Sequence, residues 1–588
     1  MTAAMELADS NEVTVKGNSQ SKKIRRIGLA LVFVFCLVLL IVCIVLAVLY
    51  SSTDSQKAGK SEICDDEQCF RLGQEMVQNM NKNVDPCEDF HAYACGGWES
   101  RHPLEDNATS AMGVWTIVSD ENNAVLKKAL EYAHLNYSKN DAVMKMVRVY
   151  DSCMNTNAID ALGLQPLKDL IEEYGGWSIS HNYNPNVTVA QRIGRAAREL
   201  NIDSLFGMDV RPNLVNSDIN VLMLKESKLG LNKRDYLDPD EDSAKKRNYY
   251  KNFMESVSYF FNASYAKMEA IYEFEKKLAM IVSEKSPDAV LLDYIKTIAI
   301  STRTRRNTVD ETITLSLLCQ ETGFPWPVLK EVLDVLFDRK LTGNEKILDV
   351  PEHTDFLNEI SHLYSRTNHT LLSDYIMWQV VRQYVGGLPD LYRPANGDLL
   401  ISTNIPRWKQ CINAMLDPFD MPLGLLFVDV RFYDEAKVQI REMIENARTS
   451  FIQNLPTQTW MDKATQELAK EKALAIAIGE IGYPAYIKDP AKLKAQYDSL
   501  NVTDSLMDNI KAANHLVRMR TLKNFERPVD KKEWTFKSPT QYNGFYAGYL
   551  NKIGKLMDDL PGFSLPNDRL RAIFNKTSQL RIYRNVWV

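Results

Sequence analysis

The longest uninterrupted apolar run in the chain is Ile27–Leu49, IGLALVFVFCLVLLIVCIVLAVL, which carries no charge. A helix needs about 20 such residues to cross a bilayer, so the run predicts a single transmembrane anchor. Lys22, Lys23, Arg25 and Arg26 lie just before it, whereas Lys57 and Lys60 beyond it are diluted by Asp54 and Glu62. That asymmetry predicts a cytoplasmic N-terminus and a lumenal or extracellular C-terminal part. A cleaved signal peptide has a shorter apolar core, about 7–15 residues, closed by a small-residue cleavage site. No such site closes this run. Residues 1–26 are polar and aperiodic and read as a short tail, and residues 50–63 read as a stalk.

Beyond Cys64 the apolar positions recur mainly at three- and four-residue spacing. Gln74–Met80, Ala124–His134, Ala142–Asn155 and Val189–Asn201 predict helices, and Tyr249–Val282 predicts a long helix or a pair. In Glu435–Asn454 the residues Ala436, Ile440, Met443, Ile444, Ala447 and Phe451 form one stripe, ended by Pro456. A further helix is predicted over Asp462–Ile478. Gly479–Pro484 (GEIGYP) then punctuates the chain and marks the best internal boundary. Strand signal is sparse: Asp203–Val210, Ile219–Leu224 and Lys346–Val350 are short candidates. The pattern predicts a mainly α ectodomain.

At 588 residues, with 25% charged and 45% hydrophobic, the composition is that of ordinary globular protein, long enough for two or more domains. A formal charge of −6 and no basic patch interleaved with aromatics argue against nucleic acid as a partner. Seven cysteines lie beyond the anchor, where an oxidising lumen favours disulfides: Cys64, Cys69, Cys87, Cys95, Cys153, Cys319 and Cys411. An odd number leaves at least one thiol to explain. Sequons at Asn107, Asn136, Asn186, Asn262, Asn368, Asn501 and Asn575 all fall on the outward side and are candidate glycosylation sites.

Val84–Trp98 reads VDPCEDFHAYACGGW, followed in order by Tyr150–Asn155 (YDSCMN), Leu229-Gly-Leu with Arg234-Asp-Tyr236, and Arg407-Trp408 with Cys411. Trp460-Met-Asp462, Lys472–Ile476 (KALAI), Ile481–Pro484 (IGYP), Val529–Trp534 (VDKKEW) and Tyr542–Tyr546 (YNGFY) continue the series. This ordered set resembles the neprilysin and endothelin-converting-enzyme family of zinc metallopeptidases, over roughly Cys64 to Ile553. The resemblance implies an outward-facing endopeptidase ectodomain that trims small bioactive peptides. A large helical lobe, here 64–484, would face a thermolysin-like α/β catalytic lobe, of which 485–588 would be an incomplete start with a divergent C-terminus. It also implies that Asn543 and Gly544, matching the family's N-A-[FY]-Y, hold substrate backbone at an exposed strand edge, with Gly544 in place of the usual alanine. Near Ser110–Gly113 the family often has Ser-Arg-aromatic-Gly. Here Ala111 stands where that arginine would be.

Zinc hydrolysis of a peptide needs three protein ligands, an open position for water and a carboxylate base. The family supplies them as H-E-x-x-H and, on the helix that follows it, E-x-x-x-D; H-E-x-x-H does not occur in the 588 residues, so no E-x-x-x-D stands in that context. The eight histidines are His91, His102, His134, His181, His353, His362, His369 and His515, and no two are four residues apart. His362 and His369, with His353 nearby, are the closest imitation. Seven residues span about 10 Å of helix, too far for both to reach one ion at about 2 Å. Surface histidines, with a loop at Asn368, are the better account. No G-x-S-x-G elbow, Walker loop or G-x-G-x-x-G fingerprint appears. Zinc is therefore the family's cofactor, and none is expected bound by this chain.

The resemblance further pairs Cys64 with Cys69 and Cys153 with Cys411. It leaves Cys87 and Cys95 without the C-terminal partners they would have in complete relatives, unless they join each other across seven intervening residues. Cys319 has no assigned partner. Three readings stay open: a membrane-anchored family member that is catalytically inactive as written, an incomplete chain of an active endopeptidase, and an unrelated helical adhesion or receptor ectodomain. The expected partners are the lipid bilayer and, in complete relatives, peptide substrates. If the chain lacks most of a catalytic lobe, an apolar patch and unpaired thiols are expected to favour disulfide-linked oligomers.

Overall fold

The computed structural model describes residues 67–103, 113–213, 216–283, 312–392, 405–431, 434–534, 538–541 and 543–555. The expected tail, anchor and stalk, with Cys64, Asn107, Ala111 and Asn575, lie outside the described residues. Among the described residues no single helix is long and apolar enough to cross a membrane. One pair, Arg407–Met415 and Asp420–Arg431, passes by composition but bends by 115°. Both its helices bury apolar residues in a protein core. The chain divides into two compact units, Met1–Arg101 and His102–Val588.

In the first unit the helices Glu67–Asn79 and Phe90–Arg101 are joined by a turn in which Asp85 and Asp89 accept backbone N–H groups of Cys87 and Ala92. The glycine pair of the A-C-G-G-W motif has a steric reason. A Cβ on Gly97 would lie 2.4 Å from the Gln78 carbonyl oxygen, so only glycine lets the second helix approach the end of the first. Arg101 closes the same corner, donating to the Gln78 carbonyl and to Asn79 Oδ1.

The second unit is predominantly helical, as the periodicity predicts. Thr188 and Gln191 form a reciprocal capping box that starts the helix Val189–Leu200, and Asn201 ends it in the left-handed conformation at φ 57°. This helix packs on Trp326–Phe337, His369–Tyr384 and Leu506–Leu522. The predicted segment Tyr249–Val282 is a pair, Glu241–Phe260 and Tyr265–Ile281. It breaks where Asn262 takes φ 50° and Ser264 caps the second helix.

Two cores form. One runs from Leu164 to Leu388 and is centred on Trp177, Tyr250 and Trp378; the other joins residues 126–159, 411–428 and 483–516. The Leu506–Leu522 helix serves both, giving Met507 and Leu522 to the first and Ala513 and Leu516 to the second. Packing therefore continues across Pro484, and the expected lobe boundary there does not coincide with a gap between cores. A disulfide of 2.04 Å joins Cys153 to Cys411 and ties Asp141–Met154 to Arg407–Met415.

The three predicted strands are present as β1 (Phe206–Pro212), β2 (Asn220–Glu226) and β4 (Lys346–Leu348), with β3 (Thr312–Thr314) completing a sheet of order β1-β2-β4-β3. β1 and β2 are antiparallel with Met208 opposite Leu224, and β2 runs parallel to β4. Of a second sheet, only the strand edge at Asn543 and Gly544 was anticipated, through the resemblance. The helix predicted over Asp462–Ile478 ends at Leu474, and β5 (Ala477–Ile481) pairs in parallel with β7 (Lys552–Lys555), itself antiparallel to β6 (Gly544–Ala547). The reason is non-local. The ladder begins with Ala477 N–H donating to the Asn551 carbonyl at 2.8 Å, a partner the local pattern cannot announce.

Candidate functional site

The expected peptide-gripping pair sits at the start of β6. In the sheet order β5-β7-β6 this strand is at the edge, and among the described residues it pairs on one side only. Asn543 and Gly544 are both exposed, and Gly544 N–H donates to Asn543 Oδ1 at 2.8 Å. The hairpin behind them is held by Asn551 at φ 46°, whose side chain accepts from the Tyr546 hydroxyl at 2.9 Å and donates to the Lys472 carbonyl at 3.2 Å. On the opposite side of the sheet, Arg441 donates to the Ile478 carbonyl, which fixes β5 against Asp434–Asn454. The result is one covered margin and one open margin. An open margin is where an extended peptide can add as a further strand.

Among the described residues, no group of three or more His, Cys, Asp or Glu side chains is placed to hold a metal ion. The histidines are dispersed. His353 and His362 share the helix Pro351–Arg366, while His369 opens the next helix, His369–Tyr384, capped by Asn368 through Thr370 N–H. Asn368 is thus a helix cap rather than a residue within a loop. His362 and His369 are exposed, but His353 is 2% exposed and its Nδ1 has no hydrogen-bond partner. The surface reading therefore fails for His353, because its helix turns that face toward the core. The donor set among the described residues does not fit a catalytic zinc.

Burial first, and the nearby Arg211 cation second, pull His353 from its ordinary 6.5 down to about 4. The folded state keeps the ring neutral where the unfolded chain protonates it. Stability is therefore whole above about pH 6.5 and falls as pH drops toward 4, by roughly 3 kcal/mol across that window. His353→Leu is expected to flatten this part of the profile when urea midpoints are compared at pH 7 and pH 4.5.

Among the other cysteines, Cys69 is disulfide-bonded, with Cys64 outside the described residues. Cys87, Cys95 and Cys319 are free. Cys319 is buried, which pushes its thiol up to about 12. The sequon asparagines Asn136, Asn186, Asn262, Asn368 and Asn501 are all exposed. Trp460, Val438, Leu468 and Leu474 are exposed apolar residues on and beside the helices next to β5.

Sequence reasoning quoted Arg407 within a motif but gave it no role. Its Nε donates to the Cys153 carbonyl at 2.9 Å, and its Nη2 is buried without a partner. The available signal was spacing: Arg407 and Cys411 are four apart on one helix and so share a face.

The family model described as Peptidase family M13 matches residues 86–484, more than half of the chain. Endothelin-converting enzyme 1 of Cavia porcellus is 29% identical over 510 residues, covering 84% of this chain and 64% of that protein. Neprilysin-3 of Drosophila melanogaster is 28% identical over 517 residues, covering 84% and 63%. The chain thus spans under two thirds of the length of these relatives. Among solved structures, the Mycobacterium tuberculosis zinc metalloprotease Zmp1 in complex with inhibitor matches with TM-score 0.65 at 18% identity, over 81% of this chain and 68% of that one. PepO from Lactobacillus rhamnosis matches with TM-score 0.62 at 18% identity, over 80% and 71%. Those two likenesses concern the fold. Together with the ordered motifs, the family match settles the resemblance to neprilysin and endothelin-converting enzyme: the chain belongs to peptidase family M13.

Proposed function

We propose that this polypeptide is a membrane-anchored, outward-facing M13 ectodomain that grips extended peptides along β6 but does not hydrolyse them by itself. The open edge of β6, headed by Asn543 and Gly544, is the observation that carries the reading. Main-chain hydrogen bonds to such an edge give affinity without chemistry. The lack of an H-E-x-x-H motif in the 588 residues supports the second half. The anchor at Ile27–Leu49, the pairing of Cys64 with Cys69, and glycans at the exposed sequons belong to the same proposal.

The test uses the purified full chain, a fluorescent peptide and metal analysis. Saturable binding with no cleavage and no stoichiometric zinc is expected. Asn543→Ala should weaken binding by about tenfold, the loss of one well-placed hydrogen bond. Gly544→Ala should be tolerated, since a Cβ there meets nothing within 4 Å. Chelator-sensitive cleavage by zinc-loaded chain would overturn the inactive reading.

A second reading has its own support in the 64% of relatives' length that the chain spans. Under it, these residues are the helical, peptide-gripping part of a longer and active endopeptidase. An immunoblot of the endogenous, deglycosylated protein decides between them by mass against 67.2 kDa.

A further inference from the structure

A cavity of about 410 Å³ opens beside the Cys153–Cys411 disulfide, within the range of small-ligand sites. Its wall is mainly apolar, with Val149, Met415, Leu506 and Ile510 contributed by three helices and Phe419 by the connection that follows Arg407–Met415. Among the described residues Arg407 is the one cation in the lining, and no Asp or Glu of the described residues lines the cavity. The guanidinium spends Nε on the Cys153 carbonyl, while buried Nη2 lacks any partner. An unmatched buried donor costs about 1–3 kcal/mol, and more when it is charged. Burial pulls the Arg407 pKa down, and Asp160, outside the lining, only partly offsets it. The side-chain amides of Gln383 and Asn413 add neutral donors to the same wall.

We propose that this cavity binds a small carboxylate with an apolar body, its charge taken by Arg407 and its body by the wall of Met415, Phe419 and Ile510. A carboxylate is the planar two-acceptor partner that a guanidinium matches best. The apolar wall rejects a bare inorganic anion, and no carboxylate among the described lining residues competes for the guanidinium. The ligand chemistry is shared by a free apolar acid and by the C-terminus of a hydrophobic peptide. The site is distinct from the β6 edge, so its test does not depend on peptide binding there.

The experiment is calorimetric titration of the full chain in lipid nanodiscs with 4-phenylbutyrate and with N-acetyl-leucyl-phenylalanine, each against its carboxamide. At least one acid is expected to bind once per chain, and roughly tenfold or more tighter than its amide. Whichever acid binds tighter identifies the source. Ala513→Leu fills the wall without touching Arg407 and should weaken binding by a similar factor. Arg407→Gln should erase the difference between acid and amide. The wild-type comparison stands alone if that variant fails to fold. Saturable binding by neither acid, or equal binding of acid and amide, overturns the proposal.

Discussion

Replacing Arg192 with methionine should cost the second unit about 3–5 kcal/mol, read as a lower urea midpoint by tryptophan fluorescence. Arg192 is 2% exposed and has five N–H donors, all engaged by main-chain carbonyls. Nη1 donates to Tyr174 and Gly176 at 3.1 and 2.9 Å, Nη2 to Gly175 and Asn184, and Nε to Val187 at 3.4 Å. The Tyr174, Gly175 and Gly176 carbonyls follow the C-terminal end of the helix Gln165–Glu173, where the helix dipole is negative, and those of Asn184 and Val187 belong to the segment leading into Val189–Leu200. Gly175 and Gly176 adopt φ of 98° and 73°, which leaves the carbonyls turned inward and dependent on the guanidinium. Methionine fills the volume but strands the Tyr174, Gly176 and Val187 carbonyls, while Gly175 and Asn184 keep only the backbone N–H groups of Asn184 and Val187. Arg192→Lys should recover little, because one ammonium cannot reach five fixed carbonyls. A methionine variant within 1 kcal/mol of wild type would show that water can replace the fork.

The legible parts of this chain are those whose signal is local. Val189–Leu200 could be read because its apolar stripe and its Thr188 cap lie within one window, and β1 and β2 because they are consecutive, short and apolar. β5 and β7 were hidden, because Ala477–Ile481 finds its partner at 552–555 and looks by itself like the end of a helix. Arg192 was also invisible: a charge inside an apolar stripe reads as an exception until five carbonyls are seen to converge on it. For the site, the motif resemblance implied both the position of Asn543 and Gly544 and an exposed strand edge there, but which strands pair behind that edge came only from the ladder. The burial of His353 and the cavity at Arg407 depend on which helix faces the core, and spacing alone leaves that face undecided.

The second large effect is expected at Glu275, a carboxylate with 0% exposure inside the first core. Its Oε1 accepts from Gly230 N–H and Gln379 Nε2, each at 3.0 Å, and its Oε2 from the Tyr250 hydroxyl at 2.6 Å. Tyr250 in turn accepts from Trp378 Nε1 at 2.8 Å, and Arg382 donates to Gln379 Oε1 and to the Leu229 carbonyl. Glu275→Leu removes three acceptor contacts and leaves Arg382 without its nearby anion, so a loss of about 3–5 kcal/mol is expected. Glu275→Gln separates the two contributions. It keeps the acceptor for Gly230 and Gln379, but it turns an amide N–H toward a tyrosine that already accepts from Trp378. The hydroxyl proton then has nowhere to go, so about 1–3 kcal/mol is expected. If glutamine costs as much as leucine, the negative charge itself holds the network, through Arg382. If glutamine costs nothing, hydrogen-bond count dominates and Tyr250 has found another acceptor. The outcome matters beyond stability, because Gln379 and Arg382 lie on the helix that runs directly into Gly386 and Gly387 of the cavity wall. Loosening Glu275 should therefore weaken carboxylate binding at Arg407, with no residue of that cavity changed.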